Sequence, residues 1–397
     1  MTTTPDKVSV TTTSAALDGA PTLLFIHGFL DDATVWDGVI ASLADKVNTA
    51  RYDLPGFGAR STAVADPNQL SLQSLAAEAG EVLNDTDTRV IVVGQSLGTQ
   101  IAELVAPKHA DRVDGLVLLT PVPLRGARLP DEAVAPFRAL GGDLDAQRAA
   151  RSQLSPALAA DQLDRLIESG APTLPDVVAR YVDIWNNGAS DVPATSDYTG
   201  PVLVIRGGAD GFVTKALVEK IVARFPGARE EVIDRGGHWL HVEQPDTVAE
   251  MLLEFSDEIR HTTTASGWRQ GFAEQSQATF ADEFADEVVL DATTLAKPIQ
   301  GKQQVAQVLA TASSIYESLE FTAEAHHGPT TYLQWKATAF GGMQIRGITI
   351  LDRDASGKIV AAAIHHRPLG AVLRFAAELR NRLAAEIPAD HFLQETP

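Results

Sequence analysis

The feature that most constrains this chain is a glycine–serine–glycine pattern between a strand-like run and a helix-like run. Residues 89–93 are mostly apolar and predict a buried strand, while residues 96–105 have the pattern of a helix. Between them, Gly94-Gln95-Ser96-Leu97-Gly98 matches G-x-S-x-G. A sharp turn in this context lifts the serine above the strand ends, and only residues without a Cβ fit around it. We therefore expect a reactive Ser96 at one edge of a sheet.

The alternation of strands and helices predicts a mostly parallel sheet with helices on both faces. The strand-like runs are residues 22–26, 89–93, 116–120, 202–206 and 231–234. Residues 129–187 contain no such run and predict several short helices, one of them from an N-cap at Ser155 to Gly170. Because ligands bind at the carboxyl ends of parallel strands, this insertion predicts a helical lid over about residues 122–197.

Ser96 needs a base to take its proton and an acid to orient that base. Asp210 lies on the loop that leaves the strand at 202–206, and His238 lies just beyond the strand at 231–234. Both residues therefore follow strand ends on the same edge as Ser96. We predict that Ser96, Asp210 and His238 form a catalytic triad.

Other residues near these positions have structural interpretations. His241 lies one helical turn after His238, and Asp53 ends a strand that precedes the Ser96 turn. The developing negative charge on a substrate oxygen would need two backbone N–H donors. Leu97, at a helix N-terminus, and Phe29, in the loop after the first parallel strand, are the predicted donors, and His27 is predicted to be structural.

Composition excludes several classes of partner and site. The net charge of −20 repels nucleic-acid phosphates and anionic lipids, so neither is an expected partner, although an acidic surface also serves solubility. The chain has no cysteine, hence no disulfide and no thiolate nucleophile. No apolar run approaches the length of a membrane span, and residues 1–21 lack the pattern of a signal peptide. We expect a cytoplasmic protein.

The order of elements changes in the last third of the chain. Residues 261–267 are small and polar, as linkers often are, and 397 residues are enough for two domains. Beyond them we predict a helix, a short strand, a second helix, four closely spaced strands and a closing helix. Short turns such as residues 354–357 connect antiparallel strands. The predicted domains are therefore residues 1–260 and 268–397, joined by a linker at 261–267.

These motifs resemble two known families. Residues 22–255 are similar to the α/β-hydrolase superfamily in their His27-Gly28-Phe29 loop, the segment from Asp53 to Gly58, the Ser96 turn, and the loops that carry Asp210 and His238. Residues 267–383 resemble the nuclear transport factor 2-like cone fold, an α+β domain found in SnoaL-like proteins, in element order and in residues 298–301 and 354–360. The resemblance implies an α/β-hydrolase fold with a C-terminal cone-fold domain that pairs with a second copy in a homodimer.

The predicted activity is cleavage of an ester-like bond, a carboxylic ester or a lactone, through an acyl-enzyme on Ser96. Two alternatives stay open: cofactor-free perhydrolysis or carbon–carbon cleavage by the same triad, and a ligand-binding or cyclase role for the cone domain, with Tyr332, Trp335 or Arg346 lining its pocket. Phe137 and Trp185 of the lid are expected to contact a small acyl substrate. No cofactor is expected, because the triad mechanism requires none. No metal site is expected either, because adjacent histidines on a strand, as in His326-His327 and His365-His366, point to opposite faces.

Overall fold

The computed structural model describes residues 8–14, 20–43, 46–86, 88–327, 329–354 and 356–393. The chain divides into two compact units, Met1–Ser256 and Asp257–Pro397. None of the helices in the described ranges combines the length and the apolar character needed to cross a bilayer.

The first unit is built on a seven-stranded sheet. Its strands are β1 (Val10–Thr13), β2 (Thr22–Ile26), β3 (Asn48–Tyr52), β4 (Val90–Gln95), β5 (Val113–Leu119), β6 (Val202–Gly207) and β7 (Arg229–Ile233). Their spatial order is β1-β3-β2-β4-β5-β6-β7. β1 runs antiparallel to β3, and the other neighbouring pairs are parallel. The mostly parallel sheet predicted from the sequence is confirmed, with β1 as an unpredicted edge strand.

Burial explains why these runs form strands. All residues of β2 and β4 are buried, as expected for strands covered on both sides. The helices of this unit are α1 (Asp37–Leu43), α2 (Leu72–Asn84), α3 (Leu97–Val105), α4 (Asp131–Arg138), α5 (Leu144–Leu154), α6 (Ala160–Gly170), α7 (Pro175–Asn187), α8 (Lys215–Val222) and α9 (Leu240–Glu243). Helices α4 to α7 form the predicted insertion between β5 and β6.

One helix start in the insertion was predicted wrongly. Ser155 is the C-cap of α5, and its Oγ accepts a hydrogen bond from the N–H of Trp239 at 2.9 Å. The N-cap of the helix that follows is Ala159, not Ser155. α6 begins at Ala160 instead, where the Gln162 side chain accepts the N–H of Ala159 at 2.8 Å.

The predicted linker is not a break in secondary structure. Helix α10 spans Pro245–Glu274 and therefore runs through residues 261–267. This segment contains no proline and one glycine, and Thr, Ser and Ala cost only a few tenths of a kcal/mol each in a helix interior. A polar composition alone did not stop the helix. The division into separately folding domains stays a prediction.

The second unit has its own mixed sheet and core. After α10 come α11 (Gln277–Glu283), β8 (Phe284–Ala292), β9 (Ile299–Gln300), α12 (Lys302–Ser313), β10 (Ser318–His327), β11 (Thr330–Ala339), β12 (Met343–Arg353), β13 (Ile359–Arg367) and α13 (Leu369–Leu383). Strands β10 to β13 form an antiparallel meander, and β8 pairs in parallel with β13. The predicted four-strand order is confirmed.

Candidate active site

The turn between β4 and α3 places Ser96 in a strained backbone conformation. Its φ of 51° and ψ of −118° lie outside the regions that most residues adopt. Gly94 and Gly98 make this turn possible, since a Cβ on Gly94 would collide with the carbonyl of Gly98, and one on Gly98 with the carbonyl of Ile26. The turn therefore positions Ser96 directly after the carboxyl end of β4.

The structure brings the three predicted triad residues together. His238 Nε2 lies 3.0 Å from Ser96 Oγ, and His238 Nδ1 lies 2.7 Å from Asp210 Oδ2. All three residues are buried. Asp210 follows β6 and His238 follows β7, so neighbouring parallel strands deliver both to the edge where β4 delivers Ser96.

The environment of Asp210 sets the direction of the hydrogen bonds. Burial alone would raise the pKa of this carboxyl. The attraction of His238, its hydrogen bond and the N–H groups of Val213 and Phe212 outweigh burial and hold the pKa of Asp210 below its usual value. An ionised carboxylate can only accept, so Nδ1 of His238 carries the proton and Nε2 is left to accept the hydroxyl proton of Ser96.

The backbone of His238 is fixed from two sides. Its carbonyl accepts hydrogen bonds from Gln95 Nε2 at 3.1 Å and Thr120 Oγ1 at 3.0 Å. Its N–H donates to the carbonyl of Leu154, at the end of α5, at 3.0 Å. The residue before Ser96 therefore helps to hold the histidine.

Phe29 and Leu97, the predicted oxyanion donors, both lie next to Ser96 in chain or in space, and their role stays a prediction. Leu97 is the first residue of α3, where an N–H has no acceptor within the helix. Phe29 lines the same cavity as Ser96. His27, two residues before it, accepts the N–H of Leu54 at 2.9 Å through Nε2. That bond attaches the loop of Phe29 to the segment after β3.

The residues interpreted as structural are engaged elsewhere. Asp53 accepts the N–H of Ala33 and that of Ala59, both at 2.8 Å. His241 is buried, and its ring lies 4.4 Å from the ring of Trp36. Burial, together with the nearby His238 and His27, lowers the pKa of His241 to about 3, so it is uncharged at neutral pH.

An apolar cavity opens over Ser96 and His238. It encloses about 600 Å³ of space, its mouth included. Side chains from the Phe29 loop and from the helical insertion supply most of the wall, among them Leu30, Val122, Phe137, Leu140, Leu154 and Trp185. Such a lining suits an uncharged, apolar group beside Ser96.

The two lid residues singled out from the sequence belong to one row of aromatic rings. The ring centroids of Phe137 and Trp185 are 5.7 Å apart, as are those of Trp185 and Phe212. Phe212 lies 5.9 Å from the ring of His238. Each contact is edge-to-face, an arrangement favoured between aromatic rings. The row links the lid to the predicted base.

Sequence reasoning missed the polar residues in this wall. Arg151 and Asp31 line the cavity, yet both are almost completely buried and bonded to each other. Gln147, one turn before Arg151, is buried on the same face of α5. Polar residues on a helix are ordinarily assigned to its exposed face, so periodicity gave no signal for them.

A second cavity lies inside the second unit. Its walls are mostly apolar and include Trp335, Leu309 and Phe375, while Tyr316 and His366 supply polar groups. Tyr316 Oη lies 3.0 Å from His366 Nε2. Burial lowers the pKa of His366 to about 4. The other two predicted lining residues, Tyr332 and Arg346, are exposed, because each lies an odd number of positions from a buried residue of its strand.

The histidine pairs do not form a metal site in the described part of the chain. His365 is exposed and His366 faces the second cavity. The side chain of His326 lies outside the described residues. Among the residues that were placed, no group of three or more histidine, aspartate or glutamate side chains could hold a metal ion.

Comparison with known proteins agrees with the fold of the first unit. A model of the alpha/beta hydrolase family matches residues 23–251. A pimeloyl-(acyl-carrier protein) methyl ester esterase of Aeromonas hydrophila is 26% identical over 247 residues, which cover 59% of this chain and 95% of that protein. Two solved structures share the fold at lower identity. A hydrolase from Oleispira antarctica has a TM-score of 0.55 at 20% identity, covering 63% of this chain and 94% of its own. The enol-lactonase from Burkholderia xenovorans has a TM-score of 0.53 at 21% identity, covering 62% of this chain and 95% of its own. Since the family model matches more than half of the sequence, the chain belongs to the alpha/beta hydrolase family of enzymes.

Proposed function

We propose that this enzyme hydrolyses a carboxylic ester or lactone through a covalent acyl-enzyme on Ser96. One observation carries the proposal: a continuous chain of contacts runs from Ser96 Oγ through His238 to Asp210, at 3.0 Å and 2.7 Å, below an apolar cavity. The base lies within hydrogen-bonding distance of both the nucleophile and the orienting acid, as serine catalysis requires.

The chemistry follows from this geometry. His238 Nε2 takes the proton of Ser96 as Oγ bonds to the carbonyl carbon, and the N–H groups of Phe29 and Leu97 stabilise the oxyanion. The intermediate collapses, the ester C–O bond breaks, and the alcohol leaves with the proton from His238. His238 then deprotonates a water that attacks the acyl carbon. Ser96 regains its proton as the acid departs.

The names of the relatives in sequence favour oxygen esters over the alternative reactions. They include a methyl ester esterase of Aeromonas hydrophila and an esterase of Escherichia coli. Perhydrolysis, in which peroxide replaces water, and carbon–carbon cleavage would use the same triad, so product analysis must distinguish them. The apolar wall supports a substrate whose group next to the carbonyl is uncharged and apolar.

A substrate screen tests this proposal. Short and long acyl esters, lactones, thioesters and a β-diketone would be incubated with the wild type and with Ser96→Ala. We expect release of acid from an ester or a lactone by the wild type, and loss of that activity in the variant. Cleavage of the diketone alone would favour carbon–carbon hydrolysis, and equal activity of both proteins would contradict the proposal.

The lid aromatics are predicted to control substrate choice. Replacing Trp185 or Phe137 by alanine removes a large part of the cavity wall without touching the triad. We expect the ratio of kcat/KM for a long acyl ester to that for an acetyl ester to change about tenfold, since burial of one or two methylenes is worth about 0.8 kcal/mol each. An unchanged ratio in both variants would contradict the role assigned to the lid.

For the second unit we propose a cone fold that binds a small ligand. Its mostly apolar cavity contains the polar pair Tyr316 and His366, which supports an uncharged aromatic ligand with a hydroxyl or carbonyl group. Calorimetry with 2-naphthol, on full-length protein blocked at Ser96, tests this. We expect binding that weakens about tenfold in Tyr316→Phe, the effect of one hydrogen bond. Equal affinity of both proteins, or no binding, would contradict it.

We also propose that the second unit forms a homodimer through its sheet. Tyr332 and Ile348 expose 39% and 45% of their surface on the side away from the core, which supports an apolar interface there. Light scattering of the full chain should give about twice the 42.3 kDa mass of one copy, and Ile348→Glu should give a monomer.

A further inference from the structure

We propose that Asp31 and Arg151 are positioning residues that hold the loop of Phe29 in register with His238. This inference rests on the proposed function, because it assigns a role in the same reaction. Neither residue belongs to the triad or to the predicted oxyanion donors. Both contact the segments that carry those groups.

The first part of the cluster joins the helical insertion to the Phe29 loop. Arg151, on α5, donates through Nη1 to Asp31 Oδ1 at 2.7 Å. Its Nη2 donates to the carbonyl of Leu30, the residue that directly follows Phe29. The exposed fractions of the two side chains are 3% and 1%. The guanidinium group of Arg151 therefore bonds both the carbonyl of Leu30 and the carboxylate of Asp31.

The second part joins the same carboxylate to the His238 loop. Asp31 Oδ2 accepts the Nε1–H of Trp239 at 2.9 Å. The guanidinium carbon of Arg151 lies 4.9 Å from the centre of the Trp239 ring, a cation–π contact. Trp239 directly follows His238, and the two rings are 5.1 Å apart. Asp31 thus accepts from two donors, one on the insertion and one next to the predicted base.

The end of α5 completes the connection. The carbonyl of Leu154 accepts the N–H of His238 at 3.0 Å, and Ser155 Oγ accepts the N–H of Trp239 at 2.9 Å. Arg151, Leu154 and Ser155 lie within a single turn, so α5 contacts both catalytic loops. This part of the insertion belongs to the frame of the site rather than to a movable cover.

The backbone of Leu30 explains why such a frame is needed. Its φ of 60° is unfavourable for a residue with a Cβ, so the surrounding structure has to maintain it. Arg151 bonds the carbonyl of this residue. Without that bond the backbone around Leu30 can relax, and the N–H of Phe29 then moves away from the position that the oxyanion will occupy. Displacements of about 1 Å can cost a hundredfold in rate.

A purely structural role is the alternative interpretation, because a broken buried ion pair destabilises a protein whatever else it does. The two roles differ when both partners are replaced by apolar residues. Part of the stability then recovers, since no buried charge is left unpaired, although two buried polar groups still lack their partners. Positioning does not recover, because apolar side chains cannot bond the carbonyl of Leu30 or the indole N–H of Trp239.

The experiment compares Arg151→Met, the double variant Arg151→Met/Asp31→Leu and a matched control, Arg148→Met. Arg148 lies on the same helix and pairs with Asp164 at 2.7 Å, but 45% of its side chain is exposed. The readouts are Tm, kcat and KM for a short ester such as p-nitrophenyl acetate. We expect Arg151→Met to lower Tm and to lower kcat about 30- to 100-fold, with KM changed less than about threefold.

The double variant decides between the two roles, and it does so even if Arg151→Met alone does not fold. We expect its Tm to lie above that of Arg151→Met, while its kcat stays at least tenfold below that of the wild type. Recovery of kcat together with Tm would overturn the positioning role, as would a kcat loss in Arg148→Met equal to that in Arg151→Met. Ester hydrolysis that persists in Ser96→Ala would instead overturn the proposed function, so the two failures are distinguishable.

Discussion

Replacing His238 by alanine is expected to lower kcat for ester hydrolysis by about 10⁶-fold, to the same residual rate as Ser96→Ala. His238 is the group that lies within hydrogen-bonding distance of both Ser96 Oγ and Asp210 Oδ2. Once Ser96 or His238 is missing, the other has no partner for proton transfer. The double variant Ser96→Ala/His238→Ala should therefore be no slower than either single variant. Steady-state rates of the three proteins on one ester provide the measurement.

A matched control is His109→Ala. His109 follows α3 and its ring lies against Gly80 of α2, so its loss should leave kcat within about twofold. If the effects of Ser96→Ala and His238→Ala multiplied in the double variant, the two residues would not act as a unit, and the proton transfer assigned to them would be wrong.

The second large effect is expected from Asp210→Asn, which should lower kcat by about 10⁴-fold, or about 5 kcal/mol of transition-state stabilisation. An amide oxygen at this position can still accept the N–H groups of Phe212 and Val213, so the loop should keep its shape. The amide lacks the charge that holds the proton on Nδ1 and stabilises the charged imidazole during the reaction. Comparison of kcat at an unchanged Tm provides the measurement.

Asp234→Asn serves as the control for this prediction. Asp234 directly follows β7, four residues before His238, but its side chain is exposed. We expect it to keep full activity. Near-normal rates in Asp210→Asn would mean that another carboxylate orients His238.

The parts of the fold that were predictable are those in which burial sets the sequence pattern. β2 has the predicted bounds because every one of its residues is buried, so apolar character starts and stops with the strand. β11 alternates buried and exposed residues, so the meander of the second unit was predictable from the sequence as well. Parallel connectivity then predicts that Ser96, Asp210 and His238 lie at one edge of the sheet.

The errors arose where one side chain satisfies a partner distant in sequence. Ser155 has the composition of an N-cap, but its hydroxyl accepts the N–H of Trp239, 84 positions away. Arg151 was not recognised for the same reason, because its partner Asp31 lies 120 positions earlier. Local spacing holds no information about such pairs. The helix through residues 261–267 was missed because composition does not distinguish a linker from a weak helix.

The most direct test of the central claim is the mass of the intact protein after incubation with a fluorophosphonate. Such a reagent phosphonylates a serine that has been activated as a nucleophile. The proposed triad predicts one adduct per chain on the wild type, mapped by peptide sequencing to Ser96, and none on Ser96→Ala or His238→Ala within the same time. An unlabelled wild type that nevertheless hydrolyses an ester, or a label on another residue, would contradict the assignment of Ser96 as the nucleophile.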